Sequence, residues 1–296
     1  MKLYAPKYYQ NFKCIADRCT HSCCIGWEID IDERTLEKYN ALTGGYADAI
    51  RDSIVDDGTP HFRLGAGERC PHLDECGLCR IITNVGEEYL SDICREHPRF
   101  YNFTDVCEVG LGMSCPEAAR IILGSADYAE MLEIGEVDAE PYESDFDAKA
   151  ERSAIYETLR DRNVAYELRL ERIYRGYAID VGEDSYWINI LKNLEYLDVT
   201  HKELFMSYSS SRRPDECKEY LERFLAYLIY RHSTEANDRE DFCARLSFCL
   251  FCERLLASLI CSEGVKAKEE IEGLSSIISE ELEYSEDNTY ALMGLG

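Results

Sequence analysis

The sequence predicts a mainly α protein: an irregular, cysteine-rich N-terminal region with short strands, followed by a helical C-terminal domain. Three observations carry this prediction. Cysteines crowd into two groups within the first 115 residues. Apolar residues recur at helical spacing from about residue 151 onward. Between these regions, residues 126–150 hold nine acidic residues and one Lys, with Pro141 among them. Such a charge run reads as a solvated connector. The expected organisation is therefore a cysteine-rich region at 1–125, an acidic connector at 126–150 and a helical domain at 151–296.

Each element has its own warrant. Residues 1–13 carry Tyr4, Tyr8, Tyr9 and Phe12 and are expected to pack over the cysteine region. After Trp27, Ile29 and Ile31 alternate with acidic residues, the period-2 pattern of a short strand. Asp30 or Asp32 can cap a helix reaching Leu42, closed by Gly44-Gly45. A second short helix is expected within 46–57. Gly58, Pro60, Gly65 and Gly67 then mark a loop with a small strand at 61–64. A helix is expected between 81 and 93, starting near Gly86, and Pro98 stops what precedes it. Pro116 suits the first turn of a helix over 116–123. Beyond 150, helices are expected at 151–175, 186–197, 215–232, 239–262 and 266–284. The fourth is apolar nearly all round and so central; the last is amphipathic and acidic. There is no internal repeat.

Composition bounds the function. The chain has 296 residues, 46% hydrophobic and 30% charged, enough to bury a core. No apolar run approaches the roughly 20 residues of a bilayer span. MKLYAPKYYQNF lacks the apolar stretch of a signal peptide, so the cytoplasm is the expected location. The net charge of −26 repels nucleic acid and anionic membrane, and neither is expected as a partner. It suits approach of a basic substrate such as an exposed lysine, although solubility alone is also reason enough for it.

Fifteen cysteines cannot all pair internally. In a reducing compartment, clustered thiols are metal ligands more often than disulfides. Thiolates bind zinc or iron–sulfur clusters because they are soft and charged. The first group, Cys14, Cys19, Cys23 and Cys24, has the form Cys-x4-Cys-x3-Cys-Cys. The second holds Cys70, Cys79 and Cys94, with Cys76 among them and Cys115 further on. Neither shows the paired CxxC knuckles of a zinc ribbon, so an irregular cluster site fits better than structural zinc. Neighbouring side chains diverge, so Cys23 and Cys24 imply either one thiol set behind the other or two metal centres. A CxxxCxxC signature starting at Cys19 would need a third Cys where Gly26 stands. Cys243, Cys249, Cys252 and Cys261 lie in the apolar helix, where packing explains them, as it does Cys217.

The blocks FKCIADRCTHSCCIGWEIDID, TPHFRL, RCPHL, GLCRII, DICREHPRFY and VGLGMSC resemble the flagellin lysine-N-methylase family. Its N-terminal half is related to proteins with a CxxCxxCC zinc/iron-chelating domain. The resemblance covers residues 1–123. It implies an iron–sulfur protein, [4Fe–4S] in type with zinc as the alternative metal. It further implies a protein-lysine N-methyltransferase moving a methyl group from S-adenosylmethionine to flagellin. The competing readings are a non-catalytic zinc- or iron-binding structural or interaction protein, and a metal-chelating or redox module. The cysteines matching the family pattern are Cys14, Cys19, Cys23, Cys24, Cys70, Cys79, Cys94 and Cys115; Cys76 and Cys107 fall outside it. For S-adenosylmethionine the candidates are Gly110 and Gly112, as a close-approach turn, with Arg95 and Arg99. The two arginines suit the donor's carboxylate or simple pairing with surface acids. No G-x-G-x-x-G follows an N-terminal strand, so a Rossmann-type site is not expected. His21 and His97 suit ligation, acid–base work or loop hydrogen bonding, and His61 and His72 are weaker candidates. Tyr89, Tyr101 and Glu96 could assist proton removal, but nothing ranks them and no catalytic residue is assigned.

Overall fold

The computed structural model describes residues 1–142, 144–210 and 213–294. Glu143 of the acidic run and the last two residues of the helical region lie outside the described residues. The chain forms two compact units: Lys13–Arg99, and a larger one made of Met1–Phe12 with Phe100–Gly296. The boundary therefore groups residues 100–125 with the helices, and residues 1–12 with them.

In the smaller unit, α1 (Glu33–Ala41) starts where Asp32 accepts a hydrogen bond from Thr35 N at 2.9 Å, the expected cap. α2 (Ala47–Asp52) is followed by β2 (Ile54–Asp56), antiparallel to β3 (Pro60–Phe62). The chain through Ile29 and Ile31 lies along β3: Ile31 N reaches Pro60 O at 2.8 Å and Phe62 N reaches Ile29 O at 3.1 Å. Both isoleucines are buried, as the alternation predicts. Two short helices follow, α3 (Arg80–Val85) and α4 (Asp92–Glu96). Gly86 ends α3 and precedes a single 3-10 turn, Glu87–Tyr89, so the helix start expected near it is met only by that short turn. The Gly86 φ of 113° is open to glycine and closed to most residues, and a helix cannot pass through it.

In the larger unit, β1 (Lys2–Pro6), β4 (Arg99–Phe103), β5 (Cys107–Leu111) and β6 (Met131–Glu136) form a sheet of order β4-β5-β1-β6. β1 runs parallel to β5 and antiparallel to β6. The aromatic N-terminus thus belongs to a sheet, where the sequence reading packed it over the cysteines. The acidic run contains an edge strand: Glu133 pairs with Lys2 at 2.7 Å and Glu130 with Lys7 at 2.8 Å. Charged side chains suit an edge, because they leave it soluble and discourage further strand pairing.

Helices make up the rest. α5 (Pro116–Gly124) is followed by α6 (Ala148–Arg160), α7 (Tyr166–Gly176), α8 (Asp184–Asn193) and α9 (Val199–Phe205). Then come α10 (Lys218–Ser233), α11 (Arg239–Ser262), α12 (Lys268–Glu283) and α13 (Glu286–Met293). α11 is buried along most of its length, as its all-round apolar sequence requires. Buried carboxylates depart from the expected amphipathic pattern. Glu222 holds Arg169 at 2.8 Å, Glu253 holds Arg213, and Glu281 of α12 accepts the backbone N–H groups of Leu197 and Asp198. Each charge is buried with a partner, which is the condition for burying it at all. Among the described residues no helix is long and apolar enough to cross a membrane.

Candidate functional site

The smaller unit is built around the two cysteine groups. Cys70 N donates to Cys24 O at 2.8 Å, and Gly26 N to Glu68 O at 3.1 Å, so the second group starts alongside the end of the first. Leu73 and Cys79 then bridge, and Arg80 N donates to His72 O at 2.7 Å. This brings Cys79 to the N-terminus of α3, while α4 carries Cys94. Beneath them lies a core of Ile29, Ile31, Tyr39, Ile50, Phe62, Ile81 and Leu90, in which Cys70 is buried and against which Cys24, Cys79 and Cys94 pack.

These thiols feel one another. Cys23 donates to Cys24; that bond, burial and the charges of Cys24, Cys94 and Cys14 raise the Cys23 thiol far above its usual range. The same bond lowers Cys24 to about 7, helped by Ser22 and the Arg69 guanidinium and opposed by burial. Within the adjacent pair Cys24 is therefore the more readily ionised thiol and Cys23 the donor. Burial pushes Cys70 up to about 12 and Cys94 up to about 11, and the Cys24 and Cys79 charges add to both. Burial raises Cys79 as well, against backbone N–H groups of Ile82 and Ile81. Six of the expected thiols, Cys14, Cys23, Cys24, Cys70, Cys79 and Cys94, therefore form one electrostatically linked set. Cys19 donates its thiol to His21 O at 2.6 Å. Cys115 falls in the larger unit, at the N-terminus of α5.

Among the described residues, no three or more His, Cys, Asp or Glu side chains are arranged to hold a metal ion as they stand. The donor chemistry nevertheless suits one. Cys14 and Cys23 are exposed, but burial and neighbouring thiolates make Cys70, Cys79 and Cys94 costly to ionise, and a soft cation removes that cost. Cys76 is exposed, like Cys14 and Cys23, in a turn closed by Asp74, which accepts from Cys76 N and Leu78 N at 2.8 Å each. Cys249 and Cys252 are fully buried in α11, as packing requires.

The four residues expected to meet S-adenosylmethionine divide between the units. Arg95 bonds Asp92 and lies 3.5 Å from Glu96, and Arg99 donates to Arg95 O at 3.3 Å. Gly110 and Gly112 are in the larger unit. A Cβ on Gly110 would meet the Phe100 ring and come within 2.8 Å of Tyr230 Cε1, so close packing of two rings accounts for this glycine. Gly112 O accepts from Cys115 N at 3.3 Å. Tyr101 stacks on Phe103.

Two constellations escaped the sequence reading. His72 sits between Tyr46 OH and Ser53 Oγ, 2.9 Å from each. Ser53 already donates to Ile50 O, so the imidazole donates to Ser53 and accepts from Tyr46. Burial first, then Arg80, lowers His72 to about 4, keeping it neutral. In the larger unit, Glu283 accepts from Tyr227 OH at 3.0 Å and bonds His232 at 2.8 Å, beside Arg231 at 3.2 Å. Tyr227 OH also accepts from Met113 N at 3.0 Å, which pins the segment ahead of Cys115. No motif marks either group, because their members come from distant segments.

The chain is 31% identical over 130 residues to the flagellar biosynthetic protein FliU of Salmonella muenchen, a match covering 41% of this chain and 77% of that protein. Over 136 residues it is 30% identical to the lysine-N-methylases of Salmonella choleraesuis strain SC-B67 and Salmonella typhimurium strain LT2. That match covers 43% of this chain and 34% of each relative, so it spans about a third of their length. No family model matches the chain, and no solved structure matches it.

Proposed function

The chain belongs to the flagellin lysine-N-methylase-related family that includes FliU, and on that premise we propose that it is a protein-lysine methylase of the flagellar system. The substrate in this reading is flagellin and the donor is S-adenosylmethionine. The observation that carries it is the electrostatically linked set of six thiols in the smaller unit, in a chain similar to lysine-N-methylases.

Cys14, Cys23, Cys24, Cys70, Cys79 and Cys94 would hold an iron–sulfur cluster, with Cys19 as the remaining candidate of the smaller unit. Such a cluster, when bound, supplies iron able to take the amine and carboxylate of the donor. The chain's own residues prepare for it. The Cys23 hydrogen bond first, then Ser22 and Arg69, favour the Cys24 thiolate, the form in which it would hold a cation. Arg95 and Arg99 are the cations available to the donor's carboxylate, and Arg95 must then be shared with Asp92. Methyl transfer requires the lysine ammonium to lose a proton. Its lone pair then takes the sulfonium methyl, and the C–S bond breaks to leave S-adenosylhomocysteine. A cytoplasmic setting belongs to this reading, because the thiols must stay reduced.

Anaerobic purification tests the metal. Iron with acid-labile sulfide and a brown colour are expected, with loss of iron in Cys24→Ser and Cys70→Ser and retention in Cys76→Ser. A colourless protein holding stoichiometric zinc would remove the cluster from the proposal. Incubation of the iron-replete protein with methyl-labelled S-adenosylmethionine and flagellin tests the activity; absence of label on flagellin lysines would refute it.

A further inference from the structure

The larger unit carries a cavity of about 660 Å³ at the end of β4, walled by Tyr142, by residues 144–149 and by the turn between α10 and α11. Two of its rings stand open to solvent: Phe103 is 44% exposed and Tyr142 57%. Its charges do not cancel. Lys149 is bound to Asp105, and Arg245 is bound to Asp241 at 2.7 Å and donates to His232 O. Asp145, Asp147 and Glu235 remain on the wall. Asp147 caps α6 through Ala150 N, and one oxygen of Glu235 accepts Phe103 N at 2.7 Å, which fixes that carboxylate beside the ring. Phe103, stacked on Tyr101, and Tyr142 put exposed ring surface beside the fixed Glu235 carboxylate and the exposed Asp145 in a concave wall, an arrangement that attracts an alkylammonium ion. The ring quadrupole and the carboxylates act on the same charge. The net charge of −26 brings such a ligand in over longer range.

We propose that this cavity binds a lysine-bearing, basic segment of a protein, with one ammonium group held between the Phe103 and Tyr142 rings and the carboxylates of Asp145 and Glu235. The choice of a protein's lysine as occupant rests on the methylase reading; the attraction for an ammonium group does not. A cavity of this size takes several residues of extended chain, so the segment around the lysine is bound as well as its tip.

The probe is a fluorescein-labelled hexapeptide alternating Lys and Gly, with its Glu–Gly counterpart, titrated by anisotropy against the full chain at low salt. The Lys peptide should bind and the Glu peptide should not. Asp145→Asn combined with Glu235→Gln should weaken the Lys peptide about tenfold. Phe103→Leu should weaken it with every charge in place. Glu203→Gln with Glu216→Gln, two exposed acids away from the cavity, removes the same charge and should leave binding within about twofold. Equal loss in this control pair would show attraction by the whole field and overturn the site. Unchanged binding in the cavity variants would also overturn it. Methyl transfer to the same peptide, followed in parallel, separates the two readings. Binding without transfer removes the methylase and keeps the cavity. Transfer that the cavity variants leave untouched keeps the methylase and removes the cavity.

Discussion

Replacing Arg152 by Met should unfold the larger unit more easily by about 3–5 kcal/mol. Arg152 of α6 grips both carboxylate oxygens of Glu108 on β5, at 2.7 Å each. Its Nη1 also donates to Thr234 Oγ1 at 2.6 Å, and its guanidinium lies 5.1 Å from the Tyr230 ring centre. The two side chains are only 7% and 5% exposed. Methionine keeps much of the volume and removes every donor, so Glu108 is left buried with a charge and no cation. That cost, more than the lost pair itself, sets the magnitude. It also sets a pH signature. An uncompensated buried carboxyl has a raised folded-state pKa, so the variant's deficit should grow as pH rises through that pKa and shrink at pH 5. Changing Glu108 to Met as well removes the stranded charge and should recover most of the loss. The assay is urea unfolding at pH 5 and pH 8, read from Trp187 in a Trp27→Phe background. An Arg152→Met protein within about 1 kcal/mol of the parent, or a double variant as unstable as the single one, would refute the reasoning.

Three further outcomes are expected. Gly110→Ala should cost about 1–3 kcal/mol, because the new methyl group meets the Phe100 and Tyr230 rings; unchanged thermal unfolding would show that the rings move aside. Tyr227→Phe should cost about 1–3 kcal/mol, since it strands Met113 N and leaves Glu283 short of a donor, checked by urea titration. His201 bonds the buried Glu281 at 2.6 Å, and that bond, then the Glu281 charge, raises its pKa. A raised histidine pKa stabilises fully below the unfolded value near 6.5. The contribution is lost as pH rises through the folded value. The parent should therefore lose stability between neutral and alkaline pH, and His201→Gln should show a flatter profile over that window.

The sequence by itself determined the features that live in local pattern. The all-round apolar run of α11, the Pro116 start of α5, the Asp32 cap of α1 and the buried Ile29–Ile31 alternation were all legible, because neighbours along the chain suffice to produce them. The gathering of thiols was legible too, since short spacing confines Cys14 through Cys24 to one loop. Tertiary structure alone decided what depends on distant partners. Lys2–Pro6 became a central strand because β5 and β6 supply its hydrogen bonds from more than a hundred residues away. Gly110 met two aromatic rings, which no local spacing encodes. Cys115, close to Cys94 in sequence, folded into the other unit. Of the expected thiols, six came under one another's charge only because Cys70 docks beside Cys24 and two short helices carry Cys79 and Cys94 to the same core. Spacing brings thiols near each other along the chain, but the Cys23 hydrogen bond favours the Cys24 thiolate and burial disfavours that of Cys70.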